Sequence, residues 1–264
     1  MERMDFSFTR EGASEGNLEQ LLVEQYNEME GHKNEQDGYD CAICKNKEYI
    51  AKINADGEMV QVYCKCHKAR EMLRKAQNSG LGNIIKDFSF DKFETTESWQ
   101  KENKQFAMDF CKDEDAKWFF IGGQCGSGKT MLCTAICASY IKQGKDVVYM
   151  IWMEDSVKLK ALRNEYEEYQ NIMQKFKEAE VLYIDDFLKV RNGEEPTNGD
   201  INVAFELLNH RLLSKDKITI ISSEKTMHDL LMYDQATMSR VYQKAGKYKI
   251  NIKSDINKNY RLKD

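Results

Sequence analysis

From about residue 88 onward, short apolar runs alternate with longer stretches whose apolar positions recur at helical spacing. The pattern predicts a helix near 96–111, a strand at 117–121, a helix at 129–143 and a strand at 146–152. A long polar helix at 155–178, the strand VLYIDDF at 181–187, a helix at 201–213 and a last strand at 218–223 follow. Strands that are apolar at consecutive positions must be covered on both sides, so the expected fold class is α/β, a parallel sheet with helices on both faces.

Upstream the pattern changes. Residues 1–16 are polar and expected to be loose, and NLEQLLVEQYNEME then spaces Leu18, Leu21, Leu22, Tyr26 and Met29 as one helical face with Asn17 as its N-cap. The stretches EYIAKIN and EMVQVYC flank Asp56-Gly57, a hairpin signal. A basic helix carrying Lys68, Arg70, Arg74 and Lys75 follows and stops near Gly80, with either phosphates or solvent as its surroundings. The expected organisation is an acidic segment with an amphipathic helix at 1–40, a hairpin and basic linker helix at 41–86, and an α/β domain at 87–264.

Composition narrows the setting. Of 264 residues, 31% are charged, and no run approaches the roughly 18 apolar residues of a membrane helix. The N-terminus lacks an apolar signal core, so a cytoplasmic protein with no membrane partner is expected. The net charge of -5 is blocked: residues 1–40 hold eleven acidic and three basic side chains, residues 41–86 four and nine. Such blocks suggest different partners for different parts of the chain.

Eight cysteines in a reducing compartment point to metal ligation where they cluster. Cys41, Cys44, Cys64 and Cys66 flank the hairpin as C-x₂-C and C-x-C. Four thiolates close a tetrahedral shell around Zn²⁺, which lends folding energy to a segment too short for its own core. The module is zinc-ribbon-like, and the sequence leaves open whether His67 replaces one cysteine.

The sharpest motif is G-x-x-x-x-G-K-T, read as Gly123, Gln124, Cys125, Gly126, Ser127, Gly128, Lys129 and Thr130. Its glycines let backbone N–H groups converge on phosphate oxygens at a helix N-terminus. Lys129 then reaches the β- and γ-phosphates of a nucleotide, and Thr130 holds Mg²⁺. The strand at 181–184 delivers Asp185 for Mg²⁺ and Asp186 to orient and deprotonate a water. Ser222, Ser223 and Glu224 end the next strand, where one of them is placed to sense the γ-phosphate.

With GQCGSGKT, VLYIDDF, TIISSE and SRVYQ in this order, residues 88–264 resemble the AAA+ ATPases of the DnaC-like helicase loader group. The flanking SGLGNIIKDFSFDKFET and NKNYRL are similar too. The resemblance implies a P-loop NTPase that binds and hydrolyses ATP with Mg²⁺, carrying catalysis on Lys129 and Asp186 and sensing near Glu224. It also implies that Arg240 serves a neighbouring subunit of an ATP-dependent homo-oligomer, with a replicative DNA helicase and single-stranded DNA as partners. Glu224 stands where many relatives have Asn, and little sequence follows Arg240 to build the usual helical lid. A transposition-accessory ATPase similar to IstB and an ATP-switched adaptor with little hydrolysis are the alternatives.

Overall fold

The computed structural model describes residues 15–78, 89–191 and 194–262, and the chain divides into two compact units at Arg74 and Lys75. The smaller unit contains α1 (Glu15–Glu28), α2 (Lys33–Asp37), β1 (Tyr49–Ile53), β2 (Met59–Tyr63) and the start of α3 (Cys66–Asn78). Strands β1 and β2 form the expected antiparallel hairpin around Asp56-Gly57, with Ile53 opposite Met59.

The helix α1 lies against this hairpin, so the described part of the segment assigned as 1–40 folds together with 41–74 of the segment assigned as 41–86. The Asn27 side chain donates to the Ala51 carbonyl at 3.0 Å and accepts from the Ala51 N–H at 2.9 Å. Lys45 and Lys47 donate to the carbonyls of Asn27, Glu28 and Met29, capping the negative end of the helix. Within the expected apolar face, Leu18, Leu22 and Tyr26 are half-buried, whereas Leu21 and Met29 are exposed. Asn17 lies inside α1 instead of capping it, because the helix begins at Glu15.

One ion pair joins the acidic block to the basic one, and a second lies within the basic block. Arg70 is fully buried and donates to both carboxylate oxygens of Asp37 at 2.7 Å, and Arg74 pairs with Glu48 at 2.6 Å. Two of the four cations of the basic helix, for which phosphates or solvent were both open, are therefore paired inside the unit. Lys68 is exposed; the side chain of Lys75, like Gly80 and residues 1–14, lies outside the described residues.

The larger unit runs α4 (Ser98–Lys112), β3 (Trp118–Gly123), α5 (Lys129–Lys142), β4 (Val147–Ile151), α6 (Trp152–Ala161) and α7 (Tyr166–Glu178). It continues with β5 (Val181–Asp185), α8 (Asn198–Leu213), β6 (Ile218–Ser223), α9 (Met227–Tyr233), α10 (Gln235–Ala245) and β7 (Lys249–Ile252). The five strands are all parallel in the order β4-β5-β6-β3-β7.

Period-two alternation sends successive strand residues to opposite faces. Phe120, Met150, Leu182, Ile184 and Ile221 pack on one face with Leu159, Phe176, Leu207 and Val241 from α6, α7, α8 and α10. On the other face Phe119 meets Phe110 of α4, which also meets Tyr140 of α5. The sheet is thus covered on both sides, as its apolar strands require.

Two details depart from the pattern. The long helix at 155–178 is two helices separated by a 3-10 turn, Leu162–Asn164, which lets both halves turn apolar side chains into one core. Strand β7 extends the sheet beyond β3: Ile250 pairs with Ile121, and only Ile250 and Ile252 of its four residues are buried. Among the described residues no helix is long and apolar enough to cross a membrane.

Candidate functional site

The parallel order brings the ends of β3, β5 and β6 to one edge of the sheet, with β6 between the other two. Ligand sites of open α/β sheets form at such carboxyl ends. Here they border a cavity of about 560 Å³, lined by the phosphate-loop residues Cys125 to Thr130, by Asp185, Asp186 and Glu224, and by residues distant in sequence.

The loop between β3 and α5 depends on backbone that only glycine adopts readily. Gly126 has φ 69° and Gly128 φ 84°, and a side chain at Gly126 would collide with Asn259. Gly128 leads directly into α5, so the loop N–H groups and the helix N-terminus face the same space. Lys129 donates to the carbonyls of Gly123 at 2.9 Å and Gln124 at 2.7 Å, bracing the loop from within. Burial lowers its pKa, against the nearby negative charges of Glu224 and Asp186.

Asp185 is the most heavily bonded carboxylate of the site. Oδ1 accepts from Thr130 at 3.2 Å, Tyr183 at 2.7 Å, the Asp186 N–H at 3.1 Å and the Ser222 hydroxyl, while Oδ2 accepts from Tyr149 at 2.6 Å. These five bonds fix the direction of the carboxylate. Thr130 and Asp185 therefore present two adjacent hard oxygen donors, a set suited to Mg²⁺.

Beyond Asp185 the chain turns sharply. Asp186 and Leu188 hold left-handed φ values of 53° and 52°, each costing about 1–3 kcal/mol for a residue other than glycine. The turn is pinned by Phe187, whose N–H donates to the Ser222 carbonyl and whose carbonyl accepts from Ser223. It brings Lys189 back over Asp186 at 2.8 Å, and the same ammonium reaches Glu224 at 3.0 Å. Burial would lower the Lys189 pKa, but these two carboxylates raise it above the ordinary lysine value. Burial likewise pushes Glu224 up, and its bond to Lys189 brings it below the usual range.

Of the three β6 residues considered for sensing, Ser222 is committed to Asp185 and Ser223 to the Phe187 carbonyl; Glu224 faces the cavity. Arg240 is exposed on α10, donates to the Ala236 carbonyl and does not line the cavity.

The cavity lining beside the loop is also aromatic, with Phe93 and Tyr260. Tyr260 returns to the loop, its N–H donating to the Gly126 carbonyl at 2.8 Å, and its ring lies 6.2 Å from Phe93 and 6.3 Å from Trp99. Burial raises the Tyr260 phenol to about 12. Phe93, Lys189, Tyr260 and Arg261 had no assigned role in the sequence reading, although FSFDKFET and NKNYRL had been marked as segments.

In the smaller unit the four sulfurs of Cys41, Cys44, Cys64 and Cys66 lie within 4.8 Å of one another and are buried. The Cys41–Cys64 and Cys44–Cys66 pairs stand at 3.9 and 3.5 Å. A tetrahedral zinc with Zn–S near 2.3 Å sets such edges at about 3.8 Å, so the donors fit Zn²⁺. His67 is outside the cluster: its Nδ1 faces Glu48 at 2.7 Å and its ring stacks on Tyr63.

A family model described as Novel STAND NTPase 3 matches residues 102–263, which contain the phosphate loop, both aspartates, Lys189 and Glu224. The chain belongs to this NTPase family. It is similar to the phage-like element PBSX protein XkdC of Bacillus subtilis (strain 168), 29% identical over 226 residues, 81% of this chain and 83% of the relative. YqaM of the same organism is 32% identical over 213 residues, 76% of this chain and 66% of YqaM. Among solved structures, the DnaC helicase loader matches with a TM-score of 0.50 and 19% identity over 65% of this chain and 98% of that one. The replication initiator DnaA bound to AMPPCP and single-stranded DNA also gives 0.50, at 19% identity over 66% of this chain; the match spans about half of DnaA. At these identities the likeness is one of fold: the NTPase unit has the AAA+ type of P-loop architecture, as the DnaC-like resemblance implied.

Proposed function

We propose that this chain is an ATP-dependent DNA replication protein that loads or remodels a replicative helicase on single-stranded DNA. The observation that carries the reading is the convergence of the phosphate loop, the bonded Asp185 and the neighbouring Asp186 in one cavity. The fold likeness to the DnaC loader, over nearly all of that protein, supports the choice of process. The similarity to a protein of a phage-like element agrees with it.

In this reading the N–H groups from Gly123 to Gly128 hold the phosphates, and the base sits against Phe93 and Tyr260. Lys129 exchanges its carbonyl partners for the β- and γ-phosphates. Thr130 and Asp185 hold Mg²⁺, which neutralises phosphate charge when bound. Asp186 takes a proton from the attacking water as its oxygen bonds to the γ-phosphorus and the bond to the ADP oxygen breaks. Glu224 reports on the γ-phosphate. The exposed Arg240 acts on the nucleotide of an adjoining copy, making turnover dependent on a homo-oligomer. Cys41, Cys44, Cys64 and Cys66 hold Zn²⁺ as a structural cross-link.

The test is co-purification of the chain with its cognate replicative helicase, with and without ATP, together with helicase delivery onto single-stranded DNA. The reading expects an ATP-sensitive complex and delivery that Lys129→Ala abolishes. Absence of a complex in every nucleotide state would contradict the loader assignment while leaving an ATPase.

A further inference from the structure

We propose that Lys189 is a positioning residue of the nucleotide site: its ammonium bridges Asp186 and Glu224 and cancels one of their two negative charges. The cavity can then accept the terminal phosphate of a nucleoside triphosphate, and Asp186 keeps a fixed orientation toward it. The inference rests on the nucleotide reading of the cavity given above.

The three carboxylates at this end of the cavity are compensated in different ways. Asp185 spreads its charge over four hydroxyls and one backbone N–H. Asp186 and Glu224 share one cation, and among the described residues Lys189 alone is in ion-pair contact with either of them. Because both lie within about 3 Å of the same ammonium, the two carboxylates are close enough to repel each other and any added phosphate once that ammonium is removed.

The local backbone is built around this contact. Left-handed φ values at Asp186 and Leu188 and the Lys189 N–H bond to the Asp186 carbonyl at 2.9 Å fold the turn back on itself. Buried Phe187 and Leu188 anchor it beneath the cavity. The strained turn thus places a carboxylate and an ammonium three residues apart on one side. Lys129 is no substitute: its ammonium is held by the carbonyls of Gly123 and Gln124 here and, in the nucleotide reading, passes from them to the phosphates, not to Asp186 or Glu224.

Loss of the Lys189 charge is therefore felt by a triphosphate more than by a diphosphate, which lacks the terminal group. It is also relieved when one of the two acids is neutralised, which a merely structural lysine would not show.

The experiment compares Lys189→Met, Lys189→Arg, Glu224→Gln and the Lys189→Met/Glu224→Gln double variant. It measures affinity for AMPPNP and for ADP by calorimetry, and the single-turnover rate at saturating ATP. Lys189→Met should weaken AMPPNP roughly tenfold while ADP changes by less than about threefold. Its single-turnover rate should fall by roughly two orders of magnitude, as for a mispositioned base. Lys189→Arg should recover most of both losses, and adding Glu224→Gln to Lys189→Met should recover AMPPNP affinity. Equal weakening of AMPPNP and ADP, or no recovery in the double variant, overturns the inference. If Lys129→Ala loses both nucleotides while Lys189→Met behaves as wild type, this inference alone fails. If Lys129→Ala binds them normally, the nucleotide reading fails with it.

Discussion

Among the described residues between 15 and 74, the buried side chains are four cysteines, two alanines and Leu73, together with the charged Asp37, Glu48 and Arg70. Between 89 and 262 they include two tryptophans, three tyrosines and a run of Phe, Ile, Leu and Val from both faces of the sheet. The first set contains almost no apolar area to withdraw from water, and the second contains a full core. Small units without such a core need a metal or cross-link, because chain entropy otherwise exceeds what burial returns. The comparison teaches that the two units should fail for different reasons.

The largest test of that difference is metal removal. Structural zinc contributes roughly 10–16 kcal/mol to folding in small zinc modules, so chelation or Cys41→Ser should collapse residues 15–74. Amide dispersion by NMR should vanish from the hairpin, while the NTPase unit keeps its thermal transition and its nucleotide affinity. Metal analysis should give one zinc per chain. A hairpin that stays ordered without metal would break the comparison at its root.

A smaller effect separates two buried arginines. Arg70 faces the Asp37 carboxylate, whereas Arg211 donates to the Thr219 hydroxyl and to the carbonyls of Phe176, Lys177, Ala179 and Ile218. Burial lowers the Arg211 pKa to about 10, with little carboxylate charge nearby to offset it. Arg70→Met leaves a buried charge unpaired and should cost about 3–5 kcal/mol in the zinc-loaded protein. Adding Asp37→Leu should return most of that loss. Arg211→Met should show no such rescue by any single carboxylate change. Chemical denaturation of the zinc-loaded variants measures all three.

At the small end, Thr197 caps α8, accepting from the Asp200 N–H at 3.3 Å while Asp200 reaches back to the Thr197 N–H at 3.0 Å. Thr197→Ala should lower the unfolding free energy of the NTPase unit by about 1 kcal/mol and leave the cysteine-rich unit unchanged.

What was legible in the sequence follows the range of the interactions. Strands β3 to β6 and the phosphate loop are written in contiguous residues, because apolar runs and glycine spacing are local requirements. The cysteine cluster was legible for a similar reason: two close pairs flank a hairpin whose turn is itself a local signal. Strand β7 was missed because it is a four-residue edge whose apolar content is two isoleucines. Tyr260 reaches Gly126 across more than a hundred residues, and no local pattern carries such a contact. The Lys189 bridge depends on two left-handed residues that are not glycine, a conformation composition does not announce. The charge blocks are accounted for in part within the fold: Asp37 of the acidic block pairs with Arg70 of the basic one, while Glu48 and Arg74 pair inside the basic block.

The most direct test of the account is ATP binding and turnover measured side by side in Asp186→Asn. The carboxamide keeps the shape of the turn and removes the proton acceptor. ATP affinity should stay within about threefold of wild type, and hydrolysis should fall by roughly two or more orders of magnitude. Hydrolysis at the wild-type rate in this variant would contradict the assignment of the cavity as an ATPase site working through Asp186.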